Sequence, residues 1–205
     1  KVLKYMKGQG ITEVSEITVT HLHSYILYLE KNHFAAATIS RNIASIKAFY
    51  HYLFKEGKVS EDISEALKPP KIEKKIPEIL SEEQVNRLLE QPGMGSPKEI
   101  RDKAMLELLY ATGIRVTELI SLKVTDVNLK LGFIVCRDNN KERVVPFGRE
   151  AKNALLRYLE SARRDMIENE EEDTLFVNYS GQPMSRQGFW KLIKYYAKKA
   201  GIEED

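Results

Sequence analysis

The chain has 205 residues, 42% hydrophobic and 30% charged, the balance of a globular protein able to bury a core in one large domain or two small ones. No apolar run approaches the roughly 20 residues that cross a bilayer, no signal peptide is visible, and the single cysteine, Cys136, excludes an internal disulfide framework and fits a reducing compartment. Net charge is only +2, but residues 1–80 hold 12 Lys+Arg against 9 Asp+Glu while residues 81–205 hold 20 against 21, which points to an anionic partner for the first part.

The four histidines all fall within residues 21–51, without a cysteine nearby, and the two-residue step from His21 to His23 matches no zinc pattern, so no metal site is expected. The chain begins at Lys1 and stops at "GIEED"; both ends look cut, and a fragment of a longer protein is expected.

In chain order, a helix remnant precedes Gly8. Thr18 is placed to cap a helix running to about Asn32, with Ile17 and Leu22 as a hydrophobic staple. Thr38 is placed to cap a longer one, in which Ile39, Ile43, Ile46, Phe49, Tyr50 and Leu53 recur at helical spacing before Gly57. A short helix is expected over 61–67. The stretch "LKPPKIEKKIPEI", residues 67–79, then packs three prolines and four lysines into 13 residues. Proline removes backbone donors and restricts its predecessor, so an extended basic linker is predicted. The domains are therefore drawn as 1–67, a linker 68–79, and 80–205.

Beyond the linker, Ser81 and Gln84 form a capping-box pattern, and another helix runs from about Pro97 to Thr112. "KVTDVNL", "GFIVCR" and "ERVVPF" are short, β-branched-rich and separated by turn residues, so they predict a small antiparallel sheet. Helix returns at 149–164, "IENEEED" is an acidic loop, "TLFVN" a short extended piece and "YSGQP" a turn. Ser185 caps a last helix, with Met184 and Phe189 as staple, and Gly201 stops it. The fold class is mainly α with a small antiparallel β-sheet.

Two constellations carry candidate chemistry. Thr38, Arg41, Asn42 and Ser45 fall at i, i+3, i+4 and i+7, one polar stripe opposite the apolar one. Arg and Asn read guanine and adenine edges, and Ser and Thr bind phosphate; the same stripe would also serve as an ordinary solvated face. With Ser40, Lys47 and the linker's Lys71, Lys74 and Lys75 it makes the candidate DNA-binding set. The second constellation is "ATGIRVTEL", residues 111–119. Arg115 and Glu118, at i and i+3, lie on one helix face. They are either a structural ion pair or a guanidinium that Glu118 orients to grip a phosphate. No Walker loop, G-x-G-x-x-G, H-E-x-x-H or Ser/His/Asp arrangement is present.

"LLYATGIRVTELISLKVTDVNLKLGF", then "NKERVVPFG", then "MSRQGFWKLIKYYAKKAGI" resemble the tyrosine recombinase family, and within it the bacterial Xer-type enzymes. "ATISRNIASIKAFYHYLFKEG" and the linker resemble the same family's core-binding domain and junction, so the likeness covers nearly the whole chain. The resemblance implies an N-terminal SAM-like helical core-binding domain and part of an α+β DNA breaking-rejoining catalytic domain. It implies site-specific recombination of double-stranded DNA through a 3′-phosphotyrosyl link, by a cytoplasmic homo- or hetero-tetramer, without ATP, metal, cofactor or membrane.

Arg115 then matches the family's first catalytic arginine, with Glu118 supporting it. Two departures bear on this. The second box, a H-x-x-R run and the nucleophilic tyrosine, is expected after Asp205, so this stretch alone is expected to be inactive; Tyr195 and Tyr196 precede that box and are core candidates. The family's hairpin lysine sits in a G-K-G-N-K-E-R-like stretch, whereas this chain has "CRDNNKER", one residue shorter and without the first lysine. Lys141 is the candidate in its place, and Arg137, with a pKa above about 12, is the poorer proton donor. The altered hairpin also keeps open a non-catalytic DNA-binding relative with an impaired site.

Overall fold

The computed structural model describes residues 1–72, 79–138, 141–169 and 171–202. The chain divides into two units, Lys1–Pro77 and Glu78–Asp205.

The first unit is helical. Helix α1 (Val2–Gly8), a 3-10 turn at Val14–Glu16, α2 (Val19–Lys31) and α3 (Ala36–Lys55) enclose one core of Met6, Ile17, Leu22, Tyr25, Leu29, Ile39, Ile43, Ile46, Tyr50 and Leu67. Thr18 caps α2 as expected. Its hydroxyl accepts from the His21 amide, and His21 Nδ1 accepts the Thr18 amide at 3.1 Å, while Ile17 and Leu22 are both buried.

Two expectations are corrected. Helix α3 starts at Ala36 with Ala35 as its cap, so Thr38 lies inside the first turn. Alanines are the strongest helix formers, and they carry the helix upstream without a capping side chain. Residues 61–67 form turns in place of a helix, because Asp62 Oδ1 accepts from both the amide (3.0 Å) and the hydroxyl of Ser64. Such local side-chain bonds compete with helix.

The second unit is α+β. Helix α4 (Glu82–Glu90) carries the reciprocal Ser81–Gln84 capping box, at 2.8 and 3.2 Å. Helix α5 (Pro97–Thr112) has Ser96 as cap and Pro at its start, and ends at Gly113 in the left-handed region, φ 59°. A six-residue helix, α6 (Val116–Ser121), follows. The sheet is β1 (Val127–Asn128), β2 (Phe133–Asp138) and β3 (Lys141–Pro146), antiparallel in that order, with Cys136 opposite Arg143 and Arg137 opposite Glu142. β1 is shorter than expected because Val124–Asp126 winds into a 3-10 turn, in which Asp126 accepts the Lys123 amide.

The predicted helix at 149–164 is α7 (Arg149–Arg157) and α8 (Arg163–Met166), joined through a π turn at Tyr158–Ala162. There the Tyr158 hydroxyl donates to Leu175 O, and the buried Arg163 guanidinium donates to the carbonyls of Glu172, Thr174 and Leu175. Helix α9 (Arg186–Lys199) is capped by Ser185, and Gly201 follows at φ 66°.

The unit's core holds a polar knot. Asp102 is fully buried on α5, gripped by the Arg101 guanidinium and by the Tyr196 hydroxyl of α9 at 3.0 Å; Arg101 also donates to Val177 O. Tyr196 is thus core, as expected. Tyr195 is not: it is exposed, with the Lys98 ammonium over its ring. A buried carboxylate oxygen that loses a donor keeps its desolvation cost. Tyr196→Phe is therefore expected to destabilise the protein by about 1–3 kcal/mol, and the exposed Tyr195→Phe by less than about 0.5 kcal/mol. Urea unfolding checks the contrast; equal effects would contradict the knot.

Candidate active site

The turn that ends α5 aims Arg115. Gly113 takes the left-handed conformation, Ile114 buries its side chain as an anchor, and Arg115 becomes the cap residue of α6 with extended backbone. Its side chain is 69% exposed.

Glu118, one turn along, is only 6% exposed and holds the region together. Its Oε2 accepts the Arg115 amide at 2.8 Å, closing the helix start. Both carboxylate oxygens then accept from Arg143 of β3, at 2.5 Å from Nη1 and 2.9 Å from Nη2, the fork geometry that arginine alone supplies. The Arg115 guanidinium stands 4.0 Å from the same carboxylate. The sequence pointed to Glu118 as the orienter of Arg115. The fork goes to Arg143, and Arg115 receives a backbone bond and a longer ion pair.

The hydrogen bonds from Arg143 hold the Glu118 carboxyl below the usual carboxylate range, with burial working in the opposite direction. A depressed folded pKa contributes stability that is present above the unfolded value and lost as pH falls through the folded one. The two guanidiniums and one carboxylate together carry +1, the sign that suits a phosphate.

Strand register places Arg143 on the core-side face of β3, where its side chain stays about half exposed at 47%. Side chains alternate across a strand, and Arg143 pairs with Cys136, which is 1% exposed. Burial holds the Cys136 thiol protonated. Lys141 lies two residues earlier, in register on the same face as Arg143, and is exposed at the start of β3. On the opposite face Arg137 is engaged twice, with Asp126 and, at 2.7 Å, with Glu142. Those carboxylates push its pKa higher still, Asp126 first. Arg143 does not stand out in the sequence as a site residue. The available signal was a charge sharing a strand face with Val145 in the alternating run "ERVVP".

In the first unit, Arg41 and Lys71 are exposed, and Lys74 and Lys75 lie outside the described residues. Thr38 is half-buried. Asn42 is half-buried and engaged at both ends, accepting from the Tyr25 hydroxyl and donating to Thr38 O. The Ser45 hydroxyl donates to Arg41 O, and Lys47 donates to Glu65 O at 3.4 Å. The Ser40 hydroxyl is buried. Asn42 and Ser45 line a cavity of about 310 Å³ beside Val2, Leu3 and Tyr50. The stripe therefore divides between a lined cavity and the exposed Arg41. Among the described residues no group of three or more His, Cys, Asp or Glu stands as metal ligands would, and no helix is long and apolar enough to cross a membrane.

Comparison with known proteins places this geometry. Residues 78–205 match the phage integrase family and residues 1–57 its N-terminal SAM-like domain. The chain is 45% identical over 203 residues to tyrosine recombinase XerD of Oceanobacillus iheyensis, covering 98% of this chain and 68% of that one. It is 36% identical over 204 residues to tyrosine recombinase XerC of Roseiflexus sp., covering 98% and 65%. The chain thus spans about two thirds of the length of these relatives. Among solved structures it is similar to XerA recombinase, 28% identical with a TM-score of 0.56 over 98% of this chain and 67% of that one. The fold also matches XerH in its post-cleavage complex with palindromic difH, at a TM-score of 0.74 and 19% identity, over 98% and 60%. The chain belongs to the phage integrase family, the family of the tyrosine recombinases.

Proposed function

We propose that the protein bearing this sequence is a site-specific recombinase that breaks and rejoins duplex DNA through a 3′-phosphotyrosyl intermediate, acting as a homo- or hetero-tetramer. The observation that carries this reading is Arg115. It sits in the family's A-T-G-x-R context, swung outward by a Gly-terminated helix, over a buried carboxylate that an arginine already grips. Several solved relatives are DNA complexes, XerH with difH among them.

In this reading residues 1–67 form the core-binding domain, 68–79 the linker and 80–205 the catalytic part. Duplex DNA is met in the first unit by Thr38, Arg41 and Ser45, together with Lys47, Lys71, Lys74 and Lys75. The biological settings proposed are cytoplasmic: chromosome-dimer resolution, with its role in cell division and chromosome partition, or mobile-element integration or inversion.

The chemistry is positioning and charge stabilisation, as phosphoryl transfer in general is. The tyrosine oxygen, supplied by the family's second box, bonds to the scissile phosphorus. The bond from phosphorus to the 5′-oxygen breaks, and that oxygen takes a proton from the Lys141 ammonium. Arg115 stabilises the charge on the non-bridging oxygens of the pentavalent transition state, and Glu118 holds the helix from which it projects. A second reading, a DNA-binding relative with an impaired site, is favoured by one observation: "DNN" stands where the family carries its hairpin lysine.

Two outcomes are expected. The 205-residue chain binds duplex DNA with an affinity that falls steeply between about 50 and about 200 mM salt, because phosphate contacts release counterions. Arg41→Ala then weakens binding by about 1–3 kcal/mol if Arg41 reads a base. Affinity indifferent to salt in a filter-binding or anisotropy titration would contradict this.

In an active recombinase carrying this sequence, Arg115→Ala leaves DNA affinity and melting temperature near those of the parent. It lowers single-turnover cleavage by orders of magnitude, since a transition-state contact acts on rate. Loss of activity only in step with loss of fold would make Arg115 a structural cation and favour the impaired-site reading.

A further inference from the structure

We propose that Arg143 is a positioning residue for the cleavage step: by forking Glu118 it ties the β2–β3 hairpin to the start of α6 and so sets where Lys141 stands relative to Arg115. The inference rests on the reading of Arg115 and Lys141 given above.

Three observations carry it. Arg143 Nη1 and Nη2 reach the two oxygens of Glu118 at 2.5 and 2.9 Å, so the link fixes orientation as well as distance. The same carboxylate takes the Arg115 amide at 2.8 Å, so one buried group anchors both the helix start and the strand. Lys141 is two residues from Arg143, about 7 Å along β3 and on the same face, so any slide or tilt of Arg143 is passed to Lys141 with little slack.

The remaining charges around the hairpin do not serve this purpose. Arg137 is held on the other face by Asp126 and Glu142, and Lys123 is paired with Asp173 at 2.7 Å. Arg137 ties β2, near the turn end of the hairpin, to Asp126 of the preceding turn, and Lys123–Asp173 joins residues outside the hairpin. β2 packs against α6 through the apolar core, and the Arg143 fork adds a directional polar tie from β3 to the start of that helix. A lysine at 143 would keep the charge but make a point contact in place of a fork. The hairpin would stay folded with the start of β3 less closely oriented.

The test uses an active recombinase carrying this sequence and two DNA substrates. One is ordinary. The other has a 5′-bridging phosphorothiolate, whose leaving sulfur needs no proton. Arg143→Gln, Arg143→Lys, Lys141→Ala and the Arg143→Gln/Lys141→Ala double variant are compared in single-turnover cleavage, with DNA affinity and melting temperature measured alongside.

A displacement near 1 Å can slow an enzyme by roughly 100-fold, so Arg143→Gln is expected to slow ordinary cleavage by roughly 10- to 100-fold with binding little changed. The defect should largely disappear on the thiolate, and the double variant should be no slower than Lys141→Ala alone. Arg143→Lys, the more conservative fold-preserving change, should show a smaller defect with the same rescue. If Lys141→Ala is rescued by the thiolate and neither Arg143 variant is, or if the two defects multiply, the positioning role is overturned while the site reading stands. If Lys141→Ala itself shows no rescue, the assignment of the acid falls, and the positioning role falls with it.

Discussion

The buried carboxylate of Glu118 is the constraint around which the catalytic unit's functional face is arranged. A carboxylate with 6% exposure is costly to desolvate unless its oxygens are bonded and its charge is met. Here the donors come from two places that the chain must bring together, the Arg115 amide on one side and the Arg143 fork on the other. Satisfying one acid fixes the angle at which α6 leaves the α5 turn and the height of β3 above it. Arg115 and Arg143, separated in sequence and both exposed, meet at that one carboxylate.

The rest of the unit supplies stiffness. Asp102, Arg101 and Tyr196 join α5 to α9 and to the Val177 segment through a fully buried knot. The Arg163 guanidinium pins the 172–175 stretch by its carbonyls. Each is a buried charge with its hydrogen bonds met, and each would be expensive to break from one side. Arg137 with Glu142 and Lys123 with Asp173 are exposed and solvent-screened, so their part is register more than stability, while Asp126, the other partner of Arg137, is buried.

Much of this could be seen in the residues alone. Helices with side-chain caps, α2 from Thr18, α4 from Ser81 and α9 from Ser185, declared their starts, and Gly113, Gly57 and Gly201 their ends, because capping and left-handed turns are written in residue type. The start of α3 was not legible, since Ala35 caps without a side chain and two alanines carry the helix further. The turns at 61–67 depended on one Asp62–Ser64 contact, and the π turn at Tyr158 has no residue signature. Arg115 was found through its motif. Arg143 is not legible in the sequence because its meaning lies in a partner 25 residues away. The bond from the Tyr25 hydroxyl to Asn42, 17 residues off, is a tertiary fact that the helical stripe does not display.

The central claim is that Arg115 grips the scissile phosphate while Glu118 stays forked by Arg143. A structure of the recombinase on its DNA site with vanadate at the scissile position tests it most directly. The account predicts Arg115 guanidinium nitrogens within about 3 Å of the non-bridging vanadate oxygens, with both Glu118–Arg143 bonds intact. An Arg115 turned away from the vanadate, or a Glu118 released by Arg143, would contradict it.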